Sequence, residues 1–311
     1  MTRVALCLLW LACGCAPLTM RVSHGQRSSV DAAAPILDEL ADDLQVLDDP
    51  QMLRRAAAAN VLRAERAIAV APTSPLVLLQ ACRSHVLYGL AFIERDYQRL
   101  EDAGDDYEAA DRTRARAERF FQRGKQLCFR SLTQLTEHFP GALEAGPERL
   151  AELLRTRFRR EEHASYLFWS ALAWAKSIQL ASDGFEGAGN LTPVRTLADR
   201  VLELDETVFN GGALTLAAAL RCALPDALGG ESEQGKALFE RALVVSERKN
   251  LTVQITYARV YALNQEDEAL YRKLLEEVRD APDHGDRVRL GNTLSKQDAL
   301  HFLETIDEVF Y

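Results

Sequence analysis

The feature that most constrains this chain is a helical spacing of apolar residues, punctuated by proline, that runs with hardly a break from residue 30 to the C-terminus. Asp49-Pro50 sets a capping carboxylate before a first-turn proline. Gln51 to Ala71 then carries Leu53, Ala57, Val61, Ala64 and Ile68 on one face before Pro72 stops the run. Thr73-Ser74-Pro75 turns the chain, and Leu76 to Leu100 resumes with Leu79, Cys82, Val86, Leu90 and Ile93 in register. A short turn between two such runs makes an antiparallel pair. The same spacing predicts helices over Tyr107 to His138, ended by Pro140-Gly141, then Pro147 to Arg157 and Glu161 to Ala181. Further helices follow over Thr192 to Leu204, Gly212 to Leu224, Ser232 to Arg248, Thr252 to Leu263, Glu266 to Arg279 and Leu294 to Val309. The stretch Tyr166 to Trp174 is apolar nearly all round, which predicts a central helix. No period-two strand pattern with hairpin punctuation occurs, so the expected fold is all-α.

Composition sharpens this. With 37 Lys+Arg against 46 Asp+Glu the net charge is −9, which argues against a nucleic-acid binder. An apolar content of 48% gives a core-forming chain rather than a disordered one.

Faint repeats run through the helices. Arg66-Ala67-Ile68, Arg200-Val201-Leu202 and Arg241-Ala242-Leu243 each sit near a helix end. Ala67 to Pro72 and Phe239 to Ala242 keep the small-residue, aromatic and stop offsets of the second helix of a tetratricopeptide repeat, while its Trp/Leu/Gly/Tyr half is missing. The expectation is a solenoid of degenerate helical hairpins, with an irregular bundle as the alternative.

The first residues are an address. Arg3 precedes the apolar run Val4 to Ala12, and Ala12-Cys13-Gly14-Cys15 closes it with small residues before a cysteine. At about ten residues the run is far short of the roughly twenty that span a membrane. The pattern predicts a lipoprotein signal over 1–14 with lipidation at Cys15, Cys13 being the alternative acceptor, and a polar lipidated tether over 15–29. The alternative is an ordinary cleaved signal peptide. One helical-repeat domain then fills 30–311. Of six cysteines, Cys82, Cys128 and Cys222 remain beyond the leader and lipidation site. Three thiols allow at most one bridge, and with no Cys-x-x-Cys spacing they support neither a disulfide framework nor a zinc site. Ala16 after Cys15, with no Asp to retain the chain at the inner membrane, favours the outer membrane.

Little catalytic chemistry is on offer. The pairs Asp42-Asp43, Asp48-Asp49 and Asp105-Asp106 read as caps and solvated acids. His24, His85, His138, His163, His284 and His301 show no i,i+3 or i,i+4 pairing, so no metal is expected. Gly184, Gly187 and Gly189 follow no strand and lack phosphate-loop order. Asn190 and Asn250 each precede a helix, where Asn or the following Thr would cap it. Tyr166, Trp169, Trp174, Tyr257 and Tyr261 are the candidate ligand-binding residues, because such rings line apolar pockets while offering a polar tip; the alternative is that they are core. Arg155, Arg157, Arg159 and Arg160 could meet an acidic partner or solvate a turn.

Several stretches carry a family resemblance. Ala213-Leu214, Leu228-Gly229-Gly230-Glu231 and Lys236 to Leu243 resemble the T component of TRAP transporters, the TatT family. So do Tyr166, Trp169, Ala171, Ala173 and Trp174, Asp106-Tyr107-Glu108 with Arg114 to Ala117, Asp48-Asp49-Pro50, and the closing Leu303 to Phe310. The likeness covers roughly 30–310, with Asp183 to Leu191 departing from the pattern. It implies a periplasm-facing, lipid-anchored helical-repeat protein that binds the transporter's substrate-binding P component and holds or passes a small organic or hydrophobic ligand. It implies no catalysis and no cofactor. A homo-oligomer, a trimer, is the expected assembly. The alternative function is an outer-membrane helical-repeat scaffold with no transport ligand. An enzyme would need a buried, pKa-shifted carboxylate such as Glu161 or Glu162 in a cleft.

Overall fold

A computed structural model describes residues 49–181 and 191–310. The leader, Cys15, the tether, Asn190 and the Gly184 to Gly189 loop lie outside the described residues. Among those described, the chain is all-helical, with no strand.

The chain begins with helix α1, Pro50–Val70. It continues with a rod of α2, Pro75–Tyr88, a wider turn over Gly89–Ile93, and α3, Glu94–Ala103. Next come α4 (Tyr107–Leu135), α5 (Phe139–Glu144), α6 (Pro147–Arg157), α7 (Glu162–Leu180) and α8 (Leu191–Leu204). The remainder is α9 (Gly212–Arg221), α10 (Ser232–Val245), α11 (Leu251–Tyr257) with a wide turn over Ala258–Ala262, α12 (Glu268–Asp280), α13 (Asp286–Glu304) and α14 (Ile306–Val309).

Local chemistry sets the ends. Asp49 accepts from the Gln51 and Met52 amides at 2.8 and 3.1 Å, Asp106 from Ala109 at 2.8 Å, and Asp267 from Leu270 at 2.9 Å. Each satisfies donors that a first helical turn leaves orphaned. Two expectations need correction. Pro140-Gly141 does not mark a stop; α4 ends at Leu135, and Pro140 sits in the first turn of α5, where its missing N–H costs nothing. Asn250 stands before α11 without capping it. Its amide donates instead to the Phe209 and Asn210 carbonyls, and the Leu251 amide is satisfied by the Asn292 side chain at 2.9 Å.

Helices pack mainly on neighbours in sequence: α1 on α2, α2 on α4, α4 on α7, α7 on α8, α8 on α9, and α9 on α10 and α11. The α12 and α13 helices then pack on α11 and on each other. The apolar interior has two parts. One gathers α1 to α9 around α4 and α7; the other gathers α9 to α14 around Phe239, Tyr257 and Tyr271. Leu202 and Leu238 touch both and join them. As the all-round apolar pattern predicts, α7 is central, with Leu167, Ala171 and Ala173 fully enclosed. The rod Pro75–Ala103 is long and apolar enough to cross a membrane, but 72% of its apolar window is buried against the other helices.

The α2–α4 crossing is an extensive and close contact. Cys82, Val86 and Gly89 of the rod face Cys128, Gly124 and Phe121 in antiparallel register. A Cβ on Gly124 would lie 2.8 Å from Val86 Cγ2, and one on Gly89 2.9 Å from Phe121 Cε1, so only glycine permits this approach. At its end Cys82 and Cys128 are joined by a disulfide across 46 residues. This is the single bridge that three thiols allow, and it settles which two of them pair. What pairs them is the crossing geometry, which brings their Cα atoms to 5.4 Å, and no short spacing encodes that. Cys222 stays a buried free thiol, its pKa pushed up to about 11 by burial.

Candidate functional site

The five aromatic candidates divide between the two core parts. On α7, Trp169 is 5% exposed. Its indole is met by the edge of Phe168 at 5.2 Å and by Phe209 at 5.3 Å, while the Arg83 guanidinium lies 5.4 Å from its ring. Its Nε1–H has no acceptor among the described residues, and neither has the Gln80 amide Nε2, one turn before Arg83 on α2. Two donors left open in an apolar setting are costly, and each asks for a water or a ligand acceptor. Tyr166, three residues before Trp169, is half-buried. Trp174 packs edge-on against Phe129 at 5.2 Å inside the core.

Tyr257 and Tyr261 lie in the second core part. Tyr257 is fully enclosed, stacked on Phe239 at 4.8 Å, and donates its hydroxyl to Glu240 at 2.9 Å. Burial, aided by that carboxylate, pushes its pKa well above the ordinary phenol value. Tyr261 packs 5.5 Å from Tyr257, with Lys236 Nζ 5.7 Å from its ring. None of the five lines either of the two described surface concavities. The Gln80 side chain lines a small concavity between α1 and α2 with Asn60, Arg63 and Ser84, and Trp169 is not part of that lining.

Sequence reasoning missed the charged hub on α3. Glu94, 4% exposed, accepts from Lys176 of α7 at 2.7 Å. The next residue, Arg95, pairs with Asp298 of α13 and donates to the Leu294 carbonyl at 2.9 Å. Asp96 takes both guanidinium nitrogens of Arg54 on α1 at 2.7 Å, and Asp102 meets His301 of α13 at 2.7 Å. One ten-residue helix thus ties α1, α7 and α13, joining the two ends of the described chain. Burial drives the Asp298 carboxyl up and the Arg95 guanidinium down, so each offsets the desolvation of the other. The available signal was the run Glu94-Arg95-Asp96 opening a helix that continues an apolar one.

No cluster of three or more His, Cys, Asp or Glu able to hold a metal occurs among the described residues. Glu161 and Glu162 are exposed, and Glu162 pairs with Arg160 at 2.7 Å, so neither is the buried carboxylate an enzyme reading requires.

The chain is 23% identical over 205 residues to an uncharacterized protein of Treponema pallidum (strain Nichols). That match covers 64% of this chain and 62% of the relative, so the chain spans less than two thirds of that protein's length. The profile of the TRAP transporter T-component family matches residues 47–310, the stretch that holds both core parts and the α3 hub. Matched along that whole length, the chain belongs to the TRAP transporter T-component family.

Proposed function

We propose that this protein is the membrane-anchored periplasmic accessory component of a TRAP-type system, docking on its substrate-binding P component and holding a small organic or hydrophobic ligand. The family match over 47–310 carries the reading. Support for the compartment comes from the Cys82–Cys128 bridge, because disulfides persist in oxidising compartments such as the bacterial periplasm. The leader ending at Cys15 agrees with it, and lipidation there anchors the body, with the outer membrane favoured. Helical pairs packed in succession, α1 on α2, α7 on α8 and α9 on α10, favour a degenerate tetratricopeptide-like solenoid. The open indole donor of Trp169 favours a ligand contact at that point of α7, with Tyr166 three residues before it.

The test is affinity capture of the full chain from cell envelope after mild cross-linking, read by mass spectrometry. A retained periplasmic substrate-binding protein is the expected result, and the complex mass reads out a trimer. Retention of outer-membrane assembly proteins alone would overturn the transport reading and leave a helical-repeat scaffold. Fatty-acid labelling that survives Cys13→Ala and is lost in Cys15→Ala would place the lipid.

A further inference from the structure

A second site lies away from those aromatics, where α6 ends and α7 begins. A concavity of about 360 Å³ is lined by Leu135, Thr136, Arg157, Phe158, Arg159, Arg160 and His163. Its volume is that of a small-ligand pocket. Three arginines among the lining residues of one pocket stand out in a chain of net charge −9. Arg160 is paired with Glu162 at 2.7 Å, but Arg157 and Arg159 are exposed and form no ion pair among the described residues.

His163 supplies an independent sign. It is 7% exposed, edge-on to Phe158 at 5.4 Å, and each of its ring nitrogens faces a donor of Arg160. The backbone N–H lies 3.4 Å from Nδ1, and Nη2 lies 3.4 Å from Nε2. A neutral imidazole has one lone pair, so one of these contacts sets donor against donor with nothing to accept. Burial and the neighbouring Arg160 hold the ring's pKa below the ordinary histidine value, so the neutral form is the relevant one. An anionic oxygen in the pocket would resolve the conflict. The first turn of α7 has no side-chain cap, and its dipole acts in the same sense.

We propose that this pocket binds a phosphate monoester. The two uncompensated guanidiniums match a dianion, their planar forks suit phosphate oxygens, and the Leu135 and Phe158 side chains take the carbon part of the ester. The phosphate could belong to a soluble metabolite or to a lipid headgroup, and the experiment separates the two.

Calorimetric titration of the full chain with glycerol 3-phosphate should show saturable binding. The exposed double variant Arg157→Gln/Arg159→Gln should weaken it at least about tenfold. Arg155→Gln, a neighbouring exposed arginine outside the pocket, should leave it unchanged. The His163 ring resonances should move on titration in the parent and stay fixed in the double variant. Cosedimentation with phosphatidic acid vesicles, dependent on Arg157 and Arg159, would assign the phosphate to a lipid; binding of the soluble ester alone would assign it to a metabolite. Absence of binding to both probes overturns the proposal. So does equal weakening by Arg155→Gln, which would show charge attraction without a site.

Discussion

The α2–α4 crossing and the α3–α13 junction hold the same molecule together by opposite means. At the crossing, glycines let two backbones approach, apolar side chains fill the space, and a covalent bridge closes one end. At the junction, charged side chains 199 and 203 residues apart in sequence reach between helices: His301 to Asp102, and Asp298 to Arg95. Apolar packing is non-directional and tolerates modest shifts, whereas a half-desolvated ion pair repays its desolvation only in one geometry. The crossing therefore supplies stability, and the junction fixes where the last helices sit against the first.

The largest effect should come from the crossing. Replacing Cys82 and Cys128 by Ala releases a 46-residue separation and should cost about 4 kcal/mol on the chain-entropy account, read by urea unfolding against the oxidised parent. A loss no larger than that of an ordinary buried Cys→Ala change would make the bridge incidental.

Next comes the junction. Asp298→Ala strands the Arg95 guanidinium in a mostly buried setting and should cost about 3 kcal/mol. Hydrogen exchange should rise in α13 and α3 before it rises in α4. If α4 loosens equally, the two regions are not separable and the comparison fails.

Smaller is the effect of crowding the crossing. Gly124→Ala brings a methyl against Val86 in a fully buried contact and should cost about 2 kcal/mol. No change in unfolding midpoint would mean the helices part easily, contrary to a close-packed contact.

Acid should then weaken the crossing through His85. This ring donates Nδ1–H to the Ala81 carbonyl at 2.8 Å and faces Glu65 at 3.3 Å, yet burial outweighs both and holds its pKa below the ordinary value. The unfolded chain binds the proton more readily, so this contribution is complete above the ordinary histidine pKa and is lost as pH falls towards the lowered one. The melting temperature of the parent should drop between neutral and mildly acidic pH, with a shallower drop in His85→Gln. A parallel pair of profiles would exclude His85 as a source of acid sensitivity.

The smallest effect belongs to His301→Ala. It removes a partly exposed contact to Asp102 and should cost under about 1 kcal/mol, visible as local exchange at the end of α13. A cost as large as that of Asp298→Ala would shift the weight of the junction to its outer rim.

Much of the fold was legible from residue types at fixed offsets. Asp49-Pro50, Ser74-Pro75 and Asp106 open helices where the sequence says they should, and Tyr166 to Trp174 forms the central helix. These are contacts within one turn, so spacing encodes them. The site was less legible. Spacing put Tyr257 among the ligand candidates, and the structure encloses it between Phe239 and Glu240, because a ring's exposure depends on what the next helices bring. Arg157, Arg159 and Arg160 were visible as a charge cluster, but the pocket beneath them needs Leu135 and Thr136 from the end of α4.

By itself the sequence determined that this chain is helical, where most helices begin, that its N-terminus has the pattern of a lipid-bearing leader, and which family it resembles. Each of these depends on residues a few positions apart. Only the tertiary structure decided that Cys82 meets Cys128, that Arg95 meets Asp298, and that His163 is caught between two donors of Arg160. Those contacts follow from how helices cross in space, and no local pattern records a crossing.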